Sequence, residues 1–132
     1  MQRTRLTFAL ALLLAIPTLA AAQIPAAVAN STPAERAAIQ TDLMKEKLAL
    51  TPEQAPKVQA INLDTAQKME PVIKSAEGPV VKMRQARTIE NHKEAALQTV
   101  LSPDQFMKFL AMRDEMKQKL EERLAKKAAG TP

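Results

Sequence analysis

Two pentads constrain this chain more than any other feature. Leu50-Thr51-Pro52-Glu53-Gln54 and Leu101-Ser102-Pro103-Asp104-Gln105 lie 51 residues apart. Each reads as a helix start. The Thr or Ser caps, the Pro takes the first helical position where its missing N–H costs nothing, and the Gln closes a capping box. The leucine before each cap is placed to staple back onto the first turn. The echo continues downstream: Lys57 aligns with Lys108, Val58 with Phe109, Ile61 with Met112, Met69 with Leu120 and Ile73 with Leu124. Both copies therefore open amphipathic helices in one register.

The remaining punctuation gives four helical segments. The first spans about Pro33 to Ala49, with Thr32 capping, Glu35 closing the box, and Ile39, Leu43, Met44 and Leu48 as its stripe. The second spans about Pro52 to Ala76. Pro56 removes one early hydrogen bond, while Pro71 should bend or break the helix. Glu77-Gly78-Pro79 ends it. The third spans about Pro79 to Val100, with a weak stripe of Val80, Met83, Ala86, Ile89, Leu97 and Val100. The fourth spans about Pro103 to Lys127, with Phe106, Phe109, Leu110, Met112, Met116, Leu120 and Leu124 on one face. Six acid–lysine pairs at i,i+4 run acid first: Glu53–Lys57, Asp64–Lys68, Glu70–Lys74, Asp104–Lys108, Glu115–Lys119 and Glu122–Lys126. No stretch alternates apolar and polar residues, so the fold class is all-α with no sheet.

The N-terminus is a different kind of segment. Arg3 and Arg5, the apolar run Leu6 to Ile16, and Ala20-Ala21-Ala22 form the pattern of a secretory signal peptide cleaved after Ala22. The run is too short for a membrane span, so no span is expected once it is removed. No Cys follows for lipidation, and the two Arg are not adjacent as a twin-arginine signal needs. Residues 23–31, with Pro25 and no period, read as a flexible arm. Residues 32–128 form the helical domain.

Composition excludes several functions. Removing residues 1–22 takes two of the 19 basic residues, leaving 17 against 14 acids and a charge of +3. That balance is no nucleic-acid signature, and the chain has no Trp or Tyr to stack on bases. With only Gly78 and Gly130, a glycine-rich phosphate loop cannot form. No Cys means no disulfide, thiolate zinc site or cysteine nucleophile. His92 is the only histidine, between Asn91 and Lys93. It supports neither a zinc site nor a Ser–His–Asp set. Glu121 and Glu122 sit in a solvated run unsuited to acid–base work. We therefore expect no enzyme, cofactor or metal.

Leu, Ile, Val and Phe number 22 of the 110 residues after the signal, one-fifth, near the lower limit for burying a core alone. Thin helices, or a dimer sharing apolar surface, would reconcile that shortage with the strong periodicity. Met112 and Met116 share a helix face. Met44, Met69, Met83 and Met107 are spread along the chain. Methionine suits cores and also surfaces that accept varied partners. Lys82, Arg84 and Arg87 cluster around Met83 and could speed capture of a partner by long-range attraction.

The paired pentads in a small secreted helical chain resemble the LTxxQ family of periplasmic proteins, the Spy/CpxP group. The resemblance covers roughly residues 33–127. Ser102 and Asp104 depart from the motif but keep its capping chemistry. The resemblance implies long antiparallel helical hairpins in a thin, curved homodimer. It implies a periplasmic, ATP-independent chaperone that binds unfolding proteins and suppresses aggregation. Candidate client-binding residues are then Lys82, Met83, Arg84, Arg87, Met112 and Met116. The group also includes an envelope-stress regulator that binds a sensor kinase domain, and metal-binding relatives. Those two roles are the alternatives.

Overall fold

A computed structural model describes residues 23–130; the expected signal peptide lies outside the described residues. Five helices follow in order: α1 (Ala26–Ala29), α2 (Pro33–Leu48), α3 (Gln54–Lys74), α4 (Pro79–Val100) and α5 (Pro103–Ala128). Among the described residues there is no strand. The fold is all-helical.

The helix boundaries follow local chemistry. Thr32 Oγ1 accepts from the Glu35 N–H at 3.1 Å, and the Glu35 carboxylate accepts from the Thr32 N–H at 2.8 Å. The same reciprocal pair forms between Ser102 and Gln105. Thr51 and Gln54 form it too, but there residues 52–53 make a turn and the regular helix begins at Gln54 rather than Pro52. Pro56 thus falls in the first turn, where an N–H has no intrahelical acceptor. Of the two effects expected of Pro71, a bend or a break, the break does not occur. Pro71 sits in the final turns, and the helix ends at Lys74. Helix α2 ends at Ala49, which adopts the left-handed conformation at φ 50° with no glycine to ease it.

Segment 23–31, read from sequence as a flexible arm, has local structure. It contains the single turn α1, which packs against α5. Arg36 ties it down. The buried guanidinium donates to the Val28 carbonyl at 3.2 Å and the Ser31 carbonyl at 2.7 Å. Its other nitrogen reaches Glu70 and the Ala66 carbonyl of α3. One side chain thereby joins α1, α2 and α3.

Helix α2 packs against both α3 and α5, α3 also packs against α4, and α4 meets α5 only over a short stretch. The core gathers around that meeting point. Met44, Leu48, Val58, Leu97, Leu101, Phe109 and Met116 are buried together, with Leu50, Ile61, Phe106 and Met112 half-buried against them. Four of the six expected i,i+4 pairs do not form. Asp64–Lys68 and Glu70–Lys74 do, each at 2.7 Å. Glu115 instead reaches Lys47 across to α2 at 3.1 Å. Further bridges between helices are Glu35–Lys127, Glu46–Arg123 and Glu94–Arg113.

Candidate binding surfaces

The two pentads meet. Gln54 donates from Nε2 to Gln105 Oε1 at 2.7 Å, and Gln105 returns the bond from Nε2 to Gln54 Oε1 at 3.0 Å. Each amide also donates to the end of the helix preceding the other pentad. Gln54 reaches the Val100 carbonyl at 3.1 Å, and Gln105 reaches the Leu48 carbonyl at 3.2 Å. Each Oε1 additionally accepts from its own cap N–H. Carbonyls orphaned at helix ends are satisfied this way. Leu101 is buried in the adjoining core and Leu50 is half-buried against it. Thr51, Pro52, Glu53, Ser102, Pro103 and Asp104 are exposed. The pentads thus form one structural knot, with little side chain left for a partner.

The expected client-binding residues do not form one surface. Met116 is only 3% exposed inside the core and so offers no face to a client, while Met112 is half-buried against that core. At the start of α4 the arrangement is different. Val80, Val81 and Met83 are 68%, 38% and 57% exposed, and Arg84 and Arg87 stand beside them in solvent. Neither arginine enters an ion pair among the described residues. Lys82 is half-buried, and its Nζ donates to the Ile73 carbonyl at 3.2 Å, capping the end of α3. That bond fixes the opening turn of α4 against α3. Met107 is a separate exposed apolar residue, 66% open, on α5.

A second feature lies between α3 and α4. A groove of about 380 Å³ opens there, walled by Ala60, Ile61, Ile89 and Ala96, with Asp64, Lys68, His92 and Lys93 around it. Lys93 is 2% exposed. Burial pushes its ammonium well below the usual lysine range, opposed by the charges of Glu90 and Glu94 on its own helix. It has no ion pair or side-chain hydrogen bond among the described residues. Asp64 is engaged with Lys68, and Glu94 with Arg113. His92 is exposed at the rim. Among the described residues, no three His, Cys, Asp or Glu side chains gather closely enough to hold a metal ion. No helix there is long and apolar enough to cross a membrane.

Residues 21–109, about two-thirds of the chain, match a family described as "Domain of unknown function (DUF4890)". The chain belongs to this family. No curated protein and no solved structure matches it. The DUF4890 match takes in both pentads, the opening of α4 and the groove. Its description assigns no activity, so function has to be read from the surfaces themselves.

Sequence reasoning missed Arg36, Asn62 and Lys93 in this DUF4890 chain. Asn62 is fully buried, its Nδ2 donating to Thr41 Oγ1 at 3.0 Å while Oδ1 has no partner. For Lys93 a signal existed. It falls four residues after Ile89 and four before Leu97, squarely on the apolar stripe of α4, where a lysine should not be.

Proposed function

We propose that the mature chain is an ATP-independent periplasmic chaperone that holds unfolding proteins at the opening of α4. One observation carries this reading: three exposed apolar side chains, Val80, Val81 and Met83, interleaved with Lys82, Arg84 and Arg87. Exposed contiguous apolar surface costs solubility unless it serves contact. Methionine and valine tolerate many apolar sequences, and the arginines raise encounter rates with acidic segments. Such contacts are shallow and need no nucleotide for release. The resemblance of the paired pentads to the LTxxQ family points the same way, and the signal-like N-terminus accounts for periplasmic delivery.

A thin antiparallel arrangement suits this role. From Glu35 to Lys47 the partners on α5 run backwards, from Lys127 through Arg123 to Glu115, which supports antiparallel α2 and α5. The neighbour order is α4, α3, α2, α5, with α4 and α5 meeting only over a short stretch. A homodimer would supply the apolar burial that one-fifth large aliphatic and Phe content leaves scarce.

The test is suppression of aggregation. A chemically denatured client is diluted into buffer without ATP, with stoichiometric mature protein, and light scattering is followed. Wild type should reduce scattering. A Val80→Ser, Met83→Ser variant should lose most of that effect while keeping its thermal midpoint, because both side chains are exposed. Unchanged scattering with wild type overturns the reading. Full suppression by the variant moves the surface elsewhere.

A further inference from the structure

We infer that the groove between α3 and α4 binds a small carboxylate with an aliphatic tail, its carboxylate held by Lys93 and its tail laid along Ile61 and Ile89. The charge count within the groove leads there. Lys93 brings a cation to the groove on a side chain that is only 2% exposed, and a largely buried charge without an ion pair is costly. The charges of Glu90 and Glu94 favour its charged form, but neither acid forms an ion pair with it. The Asp64 carboxylate lies 2.7 Å from Lys68 Nζ, and Glu94 lies 2.7 Å from Arg113. Glu90, the remaining acid near it, is exposed on α4. Among the residues lining the groove, Lys93 is therefore the lysine without an ion-pair partner, since Lys68 is paired with Asp64.

The walls select the rest of the ligand. Ile61, Ile89, Ala60 and Ala96 offer aliphatic surface with no aromatic face. A volume of about 380 Å³ falls at the small end of ligand pockets, right for a short amphiphile. One ammonium matches one carboxylate, whereas a phosphate dianion would call for more donors than Lys93 supplies. The packing cause is also visible. Lys93 occupies a stripe position between Ile89 and Leu97, so its stem is held among apolar neighbours while its ammonium end keeps contact with water at the groove. This inference does not depend on chaperone activity, since the groove residues are distinct from those opening α4.

Calorimetric titration of the mature protein with octanoate tests it, with octylammonium and acetate as comparisons. Methyl NMR of Ile61 and Ile89 reports the location. Octanoate should bind saturably and shift both isoleucines. Octylammonium should not bind, and acetate should bind far more weakly. Lys93→Met, which keeps the stem and removes the charge, should remain folded and lose at least about tenfold in octanoate affinity. Equal octanoate affinity in Lys93→Met overturns the assignment. So does binding of octylammonium as tight as octanoate, or octanoate shifts absent from Ile61 and Ile89. A groove covered by a second copy of the chain would give no saturable binding, which also overturns it.

Discussion

At the scale of single residues, two positions run against the usual preferences. Ala49 ends α2 in the left-handed conformation, where a Cβ costs about 1–2 kcal/mol. Glycine removes that cost but loses more entropy on folding, about 0.4–1 kcal/mol. The balance favours Ala49→Gly by up to about 1.6 kcal/mol, read as a higher urea midpoint at unchanged slope. Lys93 is the second position. Its folded value is depressed below the ordinary 10.5, so the unfolded chain holds the proton more tightly. Stability should therefore rise with pH as 10.5 is approached, and the cost is greatest at pH below the depressed value. Lys93→Met should be more stable than wild type at neutral pH, with the gap narrowing toward pH 10.5. A gap that stays constant across that range would mean that Lys93 is not held charged and dry. Its rise with pH separates this residue from Glu35, whose carboxylate is lowered to about 2 by the Lys127 and Thr32 hydrogen bonds and acts at the acid end.

At the scale of elements, the pentads do more than start helices. Gln54 and Gln105 each close a local cap and then pair with one another, tying the α2–α3 turn to the α4–α5 turn. Truncating one glutamine strands its partner in a half-buried place, at about 1–3 kcal/mol. Gln54→Ala and Gln105→Ala should each cost that much in urea unfolding. The double variant should cost less than the sum, by more than about 0.5 kcal/mol. Additive costs would mean two independent caps. Legibility divides along the same line. Helix starts were legible because capping is local: Thr32, Ser102 and the prolines act within four residues. The pairing of the pentads was not, because a periodicity fixes a face but not its neighbour. Pro71 lies inside α3 without ending it: its missing N–H removes one hydrogen bond to the preceding turn, and the helix runs on to Lys74. Of the four i,i+4 pairs that do not form, Glu115–Lys119 gives way to a bridge from Glu115 to Lys47 on another helix. At the proposed surface, the sequence cluster Lys82, Met83, Arg84 and Arg87 lies at the opening of α4, where Lys82 caps α3. Met112 and Met116 shared a face, as their spacing says, and that face is the core.

At the scale of the whole molecule, the question is what covers the surface that one chain leaves open. The buried core is concentrated where the two pentads meet, and the opening of α4 stands away from it with Val80, Val81 and Met83 exposed. Helix α4 leans mainly on α3, so its outer face has no neighbour in the same chain. A client covers such a face only transiently, and a second chain could bury part of it permanently. If the protein is a homodimer whose folded monomer is marginal, association contributes to folding stability and the midpoint depends on concentration. We expect a sedimentation mass of two chains at micromolar concentration and a thermal midpoint that climbs with each tenfold increase in protein. The Val80→Ser, Met83→Ser variant then distinguishes where the partner sits. A retained two-chain mass with lost client holding would leave the opening of α4 free for clients within the dimer. A fall to one chain would place the dimer contact there instead. A mass of one chain for wild type, with a midpoint independent of concentration, would show that the α5–α2–α3–α4 order is stable alone and that the homodimer reading is wrong.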